Sequence, residues 1–103
     1  MKKVILGFAA AALLMSCDKT VTATITLENK DAEDYSVFFN NENLGILADT
    51  ATRTFEVSFT TAELCSDIEL RDGVTSSDNG TLIGSIDSIC LVDGISLSFP
   101  VDY

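Results

Sequence analysis

Thr20-Val21-Thr22-Ala23-Thr24-Ile25-Thr26-Leu27-Glu28 alternates without a break. Val21, Ala23, Ile25 and Leu27 fall on one side of an extended chain, and Thr22, Thr24, Thr26 and Glu28 on the other. Successive side chains of a strand point to opposite faces, so this period of two marks a half-buried strand. Threonine suits its outer face through β-branching.

The same signature recurs downstream. Tyr35 to Phe39 predicts a second strand, Asn40-Asn41-Glu42-Asn43 a turn, and Leu44 to Ala48 its return. Pairing Phe39 with Leu44 sets Val37 against Ile46 and Tyr35 against Ala48 on one face, with Phe38 covering Gly45 on the other. Phe55, Val57 and Phe59 alternate with Glu56, Ser58 and Thr60 as a further strand. Thr60-Thr61-Ala62-Glu63 has the spacing of a capping box and predicts one helical turn. Ile68 and Leu70 alternate with Asp67, Glu69 and Arg71, and Asp72-Gly73 and Ser76 to Gly80 are turn chemistry. Thr81 to Ile86 predicts another strand.

Asp93-Gly94, between Ile89–Val92 and Ile95–Val101, carries the strongest hairpin signal in the chain. A two-residue loop there faces Val92 with Ile95 and Cys90 with Leu97. That register turns Cys90 into the core and leaves Ile89 and Leu91 outside, opposite Ser98 and Ser96. Pro100 has no N–H for a ladder, which places its strand at an edge or strand end. Seven or eight short strands with no long helical pattern define an all-β domain over residues 21–103. The expected architecture is a small antiparallel β-sandwich of immunoglobulin-like arrangement, with a small closed barrel as the alternative. The core tryptophan of antibody domains is absent, so only the architecture is implied.

Upstream, Lys2 and Lys3 precede an apolar run from Val4 to Met15 interrupted by Gly7. A helix of that length is roughly 18 Å long, short of a hydrocarbon core of about 30 Å. The segment therefore reads as a cleaved secretory signal helix rather than a resident span. The bulky Leu14 departs from the small residues of the general cut site. Leu14-Met15-Ser16-Cys17 instead resembles the lipobox of bacterial lipoproteins. The resemblance, which covers residues 1–17, implies cleavage after residue 16 and diacylglycerol and fatty acyl groups on Cys17. It makes residues 17–20 a short tether and the membrane a partner through the lipid. Two or three acyl chains make such an anchor effectively permanent. In some bacteria an Asp after the cysteine, here Asp18, holds the protein at the inner membrane. In others a Lys and acidic residues, as at Lys19, mark export to the surface. The expected place is the cell envelope, at the outer membrane, with the inner membrane and the choice of leaflet left open.

Beyond residue 16 the chain keeps Lys19, Lys30, Arg53 and Arg71 against all sixteen acidic residues, a side-chain net charge of −12. Such a charge repels nucleic acid and anionic headgroups. It leaves another envelope protein, a basic protein or divalent cations as the partner classes. With Cys17 lipidated, Cys65 and Cys90 form an even pair in an oxidising compartment, and a disulfide is expected. No cofactor other than the lipid and no metal is implied, since two cysteines without any histidine fall short of four zinc ligands.

The absence of histidine also removes the commonest general base and the Ser-His and Cys-His nucleophile arrangements. Asp67 and Glu69 share a strand face, as acid–base pairs and ordinary solvated faces both do. Asp78-Asn79-Gly80 lacks the remaining ligands of a calcium loop and reads as a turn. Phe38, Ile89 and Leu91, on outer faces, are a candidate binding patch unless a neighbouring strand covers them. Asp49-Thr50-Ala51 and Asp87-Ser88-Ile89 resemble a short acceptor motif of one bacterial O-glycosylation system. The expected protein is a non-enzymatic, lipid-anchored envelope protein with a binding or structural sandwich. An acidic inhibitor of a basic, lysozyme-like secreted enzyme is the alternative.

Overall fold

The computed structural model describes residues 20–103, so the readings of the signal peptide and of Cys17 lie outside the described residues. The strand opened by the threonine alternation, β1 (Val21–Asn29), is the centre of a three-stranded sheet. Its neighbours are β4 (Thr52–Phe59) and β7 (Ser96–Val101). A four-stranded sheet packs against it in the order β3 (Glu42–Leu47), β2 (Tyr35–Phe39), β5 (Glu63–Asp72), β6 (Thr81–Val92). These seven strands form an all-β sandwich. The core lies between the sheets, with Ala23, Ile25 and Leu27 from β1 meeting Val37, Phe39, Ile68 and Leu70 from the other layer.

Strands β1 to β6 pair as strands B, C, C′, E, F and G of an immunoglobulin-type sandwich do. The edge beside β1 is taken by β7, and here the expectation of an all-antiparallel domain is corrected. β1 and β7 run parallel, with Ile25 beside Leu97 and Asn29 beside Val101. The cause is the Asp93-Gly94 turn, which forms an inter-sheet corner instead of a hairpin. Gly94 N–H donates to the Thr22 carbonyl at 2.9 Å, and Thr24 N–H to the Ile95 carbonyl at 3.0 Å. β7 is consequently handed to β1 rather than folded back on β6. Pro100 does stand on an edge strand.

Three local expectations also change. The β2–β3 turn has two residues, not four: Asn40 and Asn41 both take positive φ (53° and 65°), as a type I′ turn demands. With a bulge between Val37 and Phe38, Val37 rather than Phe38 comes opposite Gly45. The space above Gly45 (φ 130°) is filled by Arg53, whose Nη1 lies 2.9 Å from where a Cβ would stand. The same nitrogen donates to the Ile46 carbonyl at 2.6 Å. Finally, residues 60–62 are a bend without a helical turn, and Thr61 Oγ1 donates to the Glu63 carbonyl at 2.8 Å.

Candidate functional site

Cys65 and Cys90 are joined, as expected, but not in the core. They sit directly opposite each other on β5 and β6 of one sheet, with Cα atoms 4.0 Å apart. Both are exposed on its outer face. The expected pairing of β6 with β7 does not form, and in β6 Ser88 (φ 60°) makes a bulge that leaves Asp87 and Ser88 opposite the single residue Asp67. One extra residue exchanges the faces of everything beyond it. Ile89 and Leu91 therefore turn inward, at 8% and 0% exposure, and Cys90 turns out. Glu63 places a carboxylate beside the two sulfurs, but bonded sulfurs offer a metal no thiolate.

The candidate patch of Phe38, Ile89 and Leu91 is thus not a surface. Ile89 and Leu91 belong to the core. Phe38 does face outward, yet it is covered: the Arg71 guanidinium lies 5.7 Å from its ring centroid, held by Glu69 at 2.9 Å. The other member of the carboxylate pair, Asp67, accepts the Ser88 N–H at 2.9 Å. Both acids are occupied in shaping the sheet. Asp78-Asn79-Gly80 is a turn in which Gly80 N–H donates to Asp78 Oδ1 at 2.9 Å.

The residues that come together instead lie at the end where β1 finishes. Topology brings there the β1–β2, β3–β4 and β5–β6 connections and the residues after β7. Asn29, at the last position of β1, is 2% exposed. Its Nδ2 donates to the carbonyls of Glu33 (2.7 Å) and Ala48 (3.1 Å), and its Oδ1 accepts the Asp31 N–H at 2.8 Å. Asp31 in turn accepts the Tyr35 hydroxyl at 2.8 Å and the Tyr103 N–H at 2.9 Å through Oδ2. Tyr103 crosses to β6, where its hydroxyl donates to the Ser85 carbonyl at 3.1 Å. Its ring occupies the place where a Cβ on Gly84 would stand, so a side chain there would displace the ring. Between these parts is an open cleft of about 360 Å³ lined by Asp31, Ala32, Glu33, Tyr35, Ile83 and Tyr103.

The electrostatics of this end follow from those contacts. The Tyr103 N–H, and after it the Tyr35 hydroxyl, hold Asp31 below its ordinary value of 3.8. Burial, followed by the bond to Asp31, pushes Tyr35 up to about 12. Asp31 has a depressed folded value, so its contribution to stability is present above the unfolded value of about 3.9 and is lost as pH falls through the folded one. Tyr35 has a raised folded value, so its contribution is present below pH 10 and is lost as pH rises through about 12. The thermal midpoint is expected to hold a plateau between these limits and fall on both sides. Tyr35 and Tyr103 are the only tyrosines and tryptophan is absent, so tyrosinate absorbance reports this cluster alone. A simple two-site titration near pH 10 would contradict the assignment of Tyr35.

The same end gathers Asp31, Glu33, Asp34, Asp49, Asp72, Asp78 and Asp102. Of the nearby cations, Lys30 is 3.7 Å from Glu28 and Arg71 is paired with Glu69. What this end offers chemically is an acidic rim around a shallow cleft with two phenol rings, a setting for a cationic group. In the sequence Asn29 to Asp34 is a polar, acidic stretch with the composition of a loop. The single signal it held was a hydrogen-bonding residue closing an otherwise alternating strand. No family model, no curated protein and no solved structure matches the chain.

Proposed function

We propose that this is a non-enzymatic lipoprotein of the bacterial envelope, anchored through acyl groups on Cys17, whose sandwich binds another envelope or secreted protein. The observation that carries the reading is the order of Lys2-Lys3, the short apolar run and Leu14-Met15-Ser16-Cys17. The fold is consistent with it, because β1 begins at Val21, four residues after the cysteine. Four residues span at most about 14 Å, so the start of β1 is held close to the lipid. Nine residues of β1 then carry the acidic end some 30 Å farther out. Cys17→Ala is expected to abolish fatty-acid labelling and leave the unprocessed precursor in cell fractions. Normal maturation of that variant contradicts the proposal.

The crowding of acids at the far end favours a second reading of the binding role, in which the partner is a basic secreted enzyme of the lysozyme kind. Long-range attraction of this sort is screened at a Debye length of about 8 Å in physiological salt. Binding of the purified residues 18–103 to a cationic lysozyme should therefore weaken steeply between low and high salt. Affinity that is absent at low salt removes this reading without touching the anchor.

A further inference from the structure

Among the described residues four that are not glycine have positive φ: Asn40, Asn41, Thr50 (55°) and Ser88 (60°). The asparagines make a turn that wants them. The other two have no such reason. Thr50 is the third residue of the turn closed by Ala51 N–H donating to the Ala48 carbonyl at 3.1 Å, a place that with positive φ takes glycine or asparagine. β-branched threonine is an outlier there. Ser88 forms the β6 bulge, another position where left-handed backbone suits glycine. Neither hydroxyl supports the fold. Thr50 Oγ1 donates only to the carbonyl of the preceding residue, at 2.7 Å, and the Ser88 hydroxyl has no hydrogen-bond partner among the described residues. Both residues are exposed.

These two are also the central residues of Asp49-Thr50-Ala51 and Asp87-Ser88-Ile89, the chain's two Asp-hydroxyl-aliphatic triads. The turn and the bulge need the left-handed backbone but not a threonine or a serine, so a strained residue whose hydroxyl the fold does not use points to a role outside the fold. We infer that Thr50 and Ser88 are acceptors of O-linked sugars, added by a glycosyltransferase from a phosphate-activated glycosyl donor. The side-chain oxygen bonds to the donor's anomeric carbon. The bond from that carbon to the phosphate oxygen breaks, and the phosphate leaves with the electron pair. The hydroxyl proton passes to a base of the transferase. At both places the hydroxyl-bearing residue is exposed, and the exposed carboxylate before it marks the site. Ile89 is buried and Ala51 half-buried, so in the folded protein recognition runs through the acid and the hydroxyl.

This inference does not rest on the lipid anchor, and one experiment separates them. The full chain is purified from its source organism, reduced and digested with trypsin. Cleavage at Lys30, Arg53 and Arg71 leaves Thr50 in residues 31–53 and Ser88 in residues 72–103. Both peptides are expected to carry glycan mass localised to those residues. Each modification should vanish in Thr50→Ala or Ser88→Ala, and in Asp49→Asn or Asp87→Asn, which keep the hydroxyl. Thr50→Gly and Ser88→Gly should lose the sugar while raising the thermal midpoint, which shows that the loss is not misfolding. Unmodified peptides from the source organism, or sugar confined to other residues, overturn the inference whatever the state of Cys17.

Discussion

Asn29→Ala is expected to lower the stability of the folded domain by at least about 3 kcal/mol. The side chain ties the end of β1 to two other segments: Nδ2 serves the Glu33 and Ala48 carbonyls, and Oδ1 holds the Asp31 N–H. Alanine leaves these part-buried groups without their partners, beneath a side chain that is itself 2% exposed. An unpaired buried polar group costs about 1–3 kcal/mol, and several are created together. Small domains have only about 5–15 kcal/mol in all. The loss should appear as a fall in the urea midpoint followed by far-UV circular dichroism. It should be accompanied by a downward shift of the Tyr35 titration, because Asp31 loses its fixed position. A change under about 1 kcal/mol would show that water replaces Asn29 at no cost, against the network described.

The second large effect belongs to the disulfide. Replacing Cys65 and Cys90 together by alanine is expected to cost about 3.5 kcal/mol, the chain-entropy value for a loop of this length. The residues are 25 apart in sequence. Because both side chains are exposed, no cavity adds to the loss. The effect therefore acts through the unfolded chain, and the m-value should rise as that chain expands. β6 is an edge strand held laterally by β5 alone, so faster hydrogen exchange should appear there first. Unchanged stability of the double variant would mean that the bridge constrains nothing in the unfolded state. Exposure also makes the bond open to reductant in the folded protein.

How much of this the sequence showed depends on how far each signal reaches. β1 is legible because its alternation is local and unbroken, and Cys65–Cys90 because, of three cysteines, the one in the expected lipobox was set aside and a single pair was left. The faces of β6 were not legible. They hang on one bulged serine at residue 88, and a shift of one residue exchanges core for solvent. The Val37/Phe38 bulge did the same to the β2–β3 register. Asp93-Gly94 showed that the chain turns, but not whether the strands it joins share a sheet. That choice is made by the Thr22 carbonyl, far away in sequence. The far-end cluster was hidden for a like reason: Asp31 and Tyr103 meet across 72 residues, and nothing local marks either.

The most direct test of the anchoring on which the functional proposal stands is the mass of the mature N-terminal tryptic peptide. The expected peptide starts at Cys17, ends at Lys19 and carries a diacylglycerol on sulfur. A mature chain that begins at another residue, or at Cys17 with a free thiol, contradicts it.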